Sequence, residues 1–138
     1  MQTNFSNQIQ LRVRYSETDQ MGYCYYGNYA QYFEVGRVEA LRSVGMSYKE
    51  MEEQGIMLPV SDFKVKYKSP AYYDDLLTIT TKITEVKGAR IVFHYEIHNE
   101  KAVLIAEAET TLVFVNKSNM RPISAPEDFL EIIKRCSL

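Results

Sequence analysis

Apolar and polar residues alternate along five stretches of the chain, and this period of two is typical of β-strands with one buried face. The first stretch covers residues 9–15. Four longer stretches follow in the second half of the chain, over residues 58–68, 76–86, 90–98 and 102–115. Several of the connections between them are short, which favours antiparallel pairing of successive strands. The pattern therefore predicts an antiparallel sheet of about five strands.

A helical pattern occupies the region between the first and second strands. From about Gly27 to Val44 the apolar residues recur at helical spacing, and additional apolar residues widen the stripe beyond one face. Gly45 suits the C-terminal cap of this helix, and Ser47 suits the N-terminal cap of a short second helix. A last short helix is predicted over residues 127–134. The wide stripe predicts that the first helix is long and largely enclosed.

These elements define the predicted fold class, which is α+β. One apolar helix and about five antiparallel strands have an economical arrangement in which the sheet curls around the helix and buries it. Residues 1–138 contain no repeat, low-complexity segment or linker, so they are predicted to form one domain. Five long strands do not close into a barrel, and edge-to-edge pairing with a second copy would protect one open edge. We therefore expect at least a homodimer.

The composition narrows the range of partners and locations. The net charge is −2, from 16 basic and 18 acidic residues, which argues against nucleic acid or an anionic membrane as the main partner. No stretch approaches the roughly 20 apolar residues that span a bilayer. The polar residues 1–8 do not resemble a signal peptide, so a cytoplasmic location is expected. The two cysteines and two histidines lack metal-ligand spacing, and we expect neither a metal nor a cofactor.

The candidate chemistry lies in the loop that joins the first strand to the first helix. Glu17 and Asp19 are two residues apart there, and Gly22 and several tyrosines follow them. A carboxylate in this loop would approach the N-terminus of a helix that begins near Gly27, where unpaired N–H groups can stabilise a developing oxyanion. A carboxylate and an oxyanion hole suffice for acyl transfer to water. The alternative is that these acids cap the helix or are solvated loop residues.

A pattern spread over most of the chain, from about residue 9 to residue 126, resembles the hotdog-fold 4-hydroxybenzoyl-CoA thioesterase family. This family includes the acyl-CoA thioesterases associated with the Tol-Pal cluster in bacteria. The matching segments are residues 15–29, 33–34, 37–39, 70–77 and 106–108. The resemblance implies a hotdog fold, hydrolysis of an acyl thioester of CoA or of acyl carrier protein, and a homodimer that can assemble further into a homotetramer.

The resemblance also assigns roles to individual residues. Asp19 matches the catalytic carboxylate, as nucleophile or general base, and the backbone N–H of Tyr26 matches the oxyanion donor. Glu34 matches an acidic helix residue near the site. Lys87 and Arg90 fall where relatives carry basic residues that contact the phosphates of CoA, which suits the negative charge of the nucleotide.

Two departures from the family pattern leave the substrate open. Glu17 stands where the family has the first Asp of its motif, and Tyr26 stands where the Tol-Pal type has His. A tyrosine, with a reference pKa of about 10, shares acid–base work near neutral pH less readily than His does. Two rival functions are a hotdog dehydratase, which needs a His that this loop lacks, and a non-catalytic acyl-CoA or acyl-carrier binding protein. Cys24 is predicted to be a packing thiol, because no His lies near it in the sequence to activate it.

Overall fold

The computed structural model describes residues 1–137. Its strands are β1 (Gln2–Arg12), β2 (Ile56–Met57), β3 (Val60–Tyr67), β4 (Leu76–Lys87), β5 (Arg90–His98), β6 (Leu104–Val113) and β7 (Val115–Asn116). Its α-helices are α1 (Tyr29–Arg42), α2 (Tyr48–Glu53) and α3 (Glu127–Cys136), and single 3₁₀ turns lie at Tyr15–Glu17 and Tyr26–Asn28. The described helices include none that is long and apolar enough to cross a membrane.

Five strands form one antiparallel sheet in the order β1-β4-β5-β6-β3, and β2 pairs with β7 in a separate two-stranded ribbon. The predicted α+β class and five-stranded antiparallel sheet are therefore confirmed. The first strand was predicted from residue 9, but β1 begins at Gln2. Its polar side chains face solvent at the sheet edge, while Phe5 pairs with Ile83 and is buried. Phe5 is the one apolar residue between Gln2 and Gln8, so this half of the strand lacks the alternation that predicts a strand.

The inner face of the sheet forms the core together with one face of α1 and with α3. Alternate residues of the interior strands β4 and β5 are fully buried, as the alternation predicted; these are Leu77, Ile79, Ile83, Ile91, Phe93, Tyr95 and Ile97. Each large apolar side chain that is fully buried contributes about 1.5–3 kcal/mol relative to an exposed one. The central strands therefore provide a rigid platform for α1.

Helix α1 is shorter and less enclosed than the apolar stripe predicted. It has 14 residues, close to the average of about 11–12 for globular proteins, and a three-residue 3₁₀ turn precedes it. Its outer face, which includes Glu34 and Val35, is exposed. The predicted cap is confirmed: Gly45 has a φ of 84° and donates to the Arg42 carbonyl, while the Met46 N–H donates to that of Leu41.

Gly36 lets α1 lie directly against β4. A Cβ atom at this position would stand 2.7 Å from Oγ1 of Thr81 and 2.9 Å from Cγ2 of Ile79. Any larger residue would therefore force the helix away from the sheet. This close approach fixes the height of α1 above the sheet, and with it the position of the helix N-terminus.

Candidate active site

The loop between β1 and α1 folds back onto the segment that precedes β4. The N–H of Val13 donates to the Asp75 carbonyl at 3.0 Å, and the N–H of Cys24 donates to the Ala71 carbonyl at 2.7 Å. An isolated bridge pairs Tyr23 with Tyr72. These backbone bonds hold the loop at one end of the sheet, beside the start of α1.

Asp19 opens a tight turn within this loop. Its N–H donates to the Tyr23 carbonyl and its carbonyl accepts from the Gly22 N–H, both at 3.0 Å. Gly22 has a φ of 86°, a left-handed conformation that favours glycine. The Asp19 side chain accepts from the Met21 N–H through Oδ1 at 2.9 Å. The second oxygen, Oδ2, has no hydrogen-bond partner among residues 1–137 and is available to a ligand.

Tyr26 begins the 3₁₀ turn that leads into α1. As in the first turn of any helix, its N–H has no intrahelical acceptor, and no other acceptor lies within hydrogen-bonding distance among residues 1–137. Its ring packs beside those of Tyr25 and Tyr67, with centroid distances of 4.8 and 6.0 Å. An unpaired N–H at a helix start is a ready donor for an oxyanion.

Asp19 and Tyr26 line one cleft of about 700 Å³, formed by residues 19–21, 23–26, 29 and 67–70. The structure thus brings together the two residues that were predicted to perform the chemistry. Five of the lining residues are tyrosines, namely Tyr23, Tyr25, Tyr26, Tyr29 and Tyr67. Tyr67 ends β3 and Lys68 follows it directly. Neither was among the predicted site residues, because no local signal links them to a loop forty residues earlier. Lys68 is the one basic residue of the lining.

Glu17 differs sharply from Asp19 although it belongs to the same loop. The residue is 7% exposed, and its side chain accepts from the Arg14 N–H at 2.8 Å and from the Tyr32 hydroxyl at 2.9 Å, both through Oε1. The Arg14 guanidinium binds Oε2 at 3.1 Å. Burial raises the pKa of Glu17, but the hydrogen bonds and the charge of Arg14 outweigh it, so the pKa lies below its ordinary value.

Cys24 is a buried member of the cleft lining. Its thiol is 2% exposed and its Sγ is 3.5 Å from the Tyr32 hydroxyl. Burial raises the pKa of this thiol, which makes it a poor nucleophile. The prediction of a packing thiol is confirmed. Among residues 1–137, no three His, Cys, Asp or Glu side chains converge in a way that could hold a metal ion.

The other predicted site residues lie away from the cleft of their own chain. Glu34 is exposed on α1 and lines a separate groove with Arg37 and Tyr48. Lys87 and Arg90 face each other across the turn between β4 and β5. Because β4 begins near the cleft and has 12 residues, this turn is about 36 Å away along the strand. A single chain therefore cannot place these cations at its own Asp19.

Comparison with known proteins identifies the family. The model of the Thioesterase-like superfamily matches residues 13–133, so the chain belongs to that superfamily. The chain is 33% identical over 125 residues to the acyl-CoA thioester hydrolase YbgC of Escherichia coli O157:H7. This match covers 91% of this chain and 93% of YbgC. The acyl-CoA thioesterase YbgC of Haemophilus influenzae is 31% identical over 119 residues, with 86% and 87% covered.

A solved structure supports the same assignment. The DHNA-CoA thioesterase from Staphylococcus aureus matches with a TM-score of 0.89 and 35% identity, covering 94% of this chain and 89% of that chain. The family resemblance, the hotdog fold and the class of thioester hydrolase predicted from the sequence are therefore confirmed.

Proposed function

We propose that this protein is an acyl-CoA thioesterase that uses Asp19 and the backbone N–H of Tyr26. The observation that carries the proposal is their meeting in one aromatic cleft, where Asp19 offers a free carboxylate oxygen and Tyr26 an unpaired N–H. The names of the related proteins, acyl-CoA thioester hydrolase and acyl-CoA thioesterase, support CoA as the thiol component of the substrate.

The proposed reaction adds water across the thioester and yields a carboxylic acid and a free thiol. Asp19 either removes a proton from water as it attacks the carbonyl carbon, or attacks that carbon itself to form an anhydride that water then hydrolyses. In both routes the carbonyl oxygen becomes negative and accepts a hydrogen bond from the Tyr26 N–H. The carbon–sulfur bond then breaks and the thiolate takes up a proton. A single oxyanion donor contributes about 10²–10³ in rate.

The proposal includes a homodimer formed along β3. This strand is the edge of the sheet next to the cleft, and its inward side chains Val60, Phe63 and Tyr67 are 49%, 41% and 51% exposed. Pairing with β3 of a second copy would cover these side chains and the exposed Val35 of α1, which becomes an enclosed central helix in the pair. Sedimentation equilibrium tests this: wild type should be a dimer, and Phe63→Asp should shift it toward monomer.

The proposed assembly of subunits would also give the predicted residues outside the cleft a role in binding. Lys87, Arg90 and Glu34 would serve the cleft of another subunit, with the two cations at the phosphates of CoA, and a homotetramer would supply further such contacts. Lys68 is the cation that each chain offers to its own cleft. We take residues 1–138 as one domain that acts in the cytoplasm.

The experiment that tests the function measures free thiol released from a panel of short, long and aromatic acyl-CoA thioesters. We expect hydrolysis of at least one class by wild type, and a loss of about 10²–10⁴-fold in kcat for Asp19→Ala, as is typical when a general base is removed. Saturable CoA binding without cleavage would support a binding protein, and conversion without thiol release would support a dehydratase. A folded Asp19→Ala protein with full activity would refute the assignment of Asp19.

A further inference from the structure

We infer that Glu17 is a positioning residue that holds Asp19 and the Tyr26 N–H in register with each other. The inference rests on the proposed function and deepens it, because it identifies what orients the two catalytic groups. Glu17 lies two residues before Asp19, and its contacts extend forward to the start of α1. It does not line the cleft, so it acts through its neighbours rather than on substrate.

The side chain of Glu17 anchors the loop from below. Oε1 receives the Arg14 N–H from the end of the β1 segment and the Tyr32 hydroxyl from α1. One carboxylate oxygen thus joins the strand side of the loop to α1, the helix that directly follows the turn with the oxyanion donor. Hydrogen bonds to a buried charged group are stronger than those between neutral groups, so these two bonds favour one conformation of the loop.

The backbone of Glu17 fixes the other end of the loop. Its carbonyl accepts from the Tyr25 N–H and from Nδ2 of Asn28, both at 2.8 Å. These two donors lie on either side of Tyr26. The Tyr25 carbonyl also accepts from the Asn28 N–H at 3.0 Å and therefore points into the turn. Because the peptide is planar and trans, the Tyr26 N–H on its other side points away from the turn.

Backbone contacts on the other side of Glu17 hold Asp19 in position. The residue between them, Thr18, forms a bridge with Cys24, and the Asp19 N–H donates to the Tyr23 carbonyl. These contacts join the segment that carries the Asp19 carboxylate to the segment that leads to the Tyr26 N–H. Both segments are thus held next to Glu17. A shift of about 1 Å between such groups can cost on the order of a hundredfold in rate.

The test compares Glu17→Met, Glu17→Gln and Asn28→Ala in steady-state kinetics with a thioester that wild type cleaves. Met fills a similar volume but removes the acceptors, whereas Gln retains one oxygen for Arg14 and Tyr32. We expect Glu17→Met to lower kcat about 10- to 100-fold while KM changes less than about twofold. Glu17→Gln should stay within about threefold of wild type, and Asn28→Ala should lower kcat without touching the buried carboxylate.

Two further measurements separate positioning from general damage. Glu53→Met replaces an exposed glutamate of α2 and should leave both constants unchanged. Hydrogen exchange of the peptide that spans residues 18–28 should be faster in Glu17→Met than in wild type. Glu17→Met and Asn28→Ala proteins with wild-type kcat would overturn this inference and leave the proposed function intact. A wild type that cleaves no thioester would overturn the proposed function first, and the inference with it.

Discussion

Glu17 and Asp19 are two carboxylates of one loop with opposite surroundings. Glu17 is buried, and both of its oxygens receive hydrogen bonds from Arg14 or Tyr32. Asp19 is half-buried, faces the tyrosine-lined cleft, and has one oxygen bound by the Met21 N–H. Although the two residues are only two positions apart, the Glu17 carboxylate is enclosed within the fold, whereas the Asp19 carboxylate is open to the cleft.

The difference shows that two acids of one loop can differ both in their exposure and in the number of acceptor sites that remain open. A carboxylate has about four lone-pair sites, and a buried one is stable when most of them are filled. Glu17 meets that condition within its own chain. Asp19 reaches it through water or substrate at Oδ2. The family pattern alone selected Asp19, and the geometry gives a physical reason for the selection.

The largest expected effect is a difference in the free energy of unfolding between variants that lack Glu17 and variants that lack Asp19. Glu17→Met leaves the Arg14 N–H and the Tyr32 hydroxyl without an acceptor in a buried place, so we expect a loss of about 2 kcal/mol in the free energy of unfolding. Asp19→Ala should change it by less than about 0.5 kcal/mol, since the affected turn is near solvent. Urea unfolding of both variants measures this, and equal losses would contradict the contrast between anchor and reactive group.

A smaller effect, on KM, should distinguish Lys68, the cation that faces the cleft, from cations that lie outside it. We expect Lys68→Ala to raise KM for an acyl-CoA up to about fivefold, since exposed ion pairs contribute up to about 1 kcal/mol. KM for the matching acyl-pantetheine, which lacks the nucleotide phosphates, should not change. Lys64→Ala is the control, because Lys64 lies on β3 just before Lys68 in the chain but outside the cleft.

The double variant Lys87→Ala/Arg90→Ala completes this measurement. An increase in KM for acyl-CoA alone would support contact with the cleft of another subunit. No change in the double variant, with an increase for Lys68→Ala, would assign the phosphates to the chain's own cation. If none of these variants discriminates between the two substrates, the phosphates are not held by these residues.

The smallest effect should be a dependence of stability on pH that comes from Glu17. Because its pKa is lower in the folded protein than its ordinary value of about 4.3, the ionised form stabilises the fold above that value. This contribution is lost as the pH falls through the folded pKa. The difference in unfolding free energy between wild type and Glu17→Gln should therefore shrink between pH 7 and pH 3. A constant difference over this range would refute the anchor role of the charge.

Much of the fold could be predicted because local patterns determined it. The alternation in β4 and β5 reports which residues face the core, and Gly45 marks the end of α1 through its left-handed conformation. The first half of β1 was not predictable, since a polar edge strand has the same composition as a polar terminus. The enclosure of α1 was overestimated, because the apolar residues Ala30 and Val35, which widened the predicted stripe, are exposed in a single chain.

The sequence by itself determined the family, the order of strands and helices, and the candidacy of Asp19 and Tyr26, since these depend on local spacing and on a motif of consecutive residues. The tertiary structure decided what surrounds them. It brought Tyr67 and Lys68 to the cleft from a distant strand, buried Glu17 under Tyr32, and moved Lys87 and Arg90 to the far end of the sheet. These relations arise from strand pairing and helix packing, which join residues far apart in the chain. Such contacts produce no local sequence pattern from which they could be predicted.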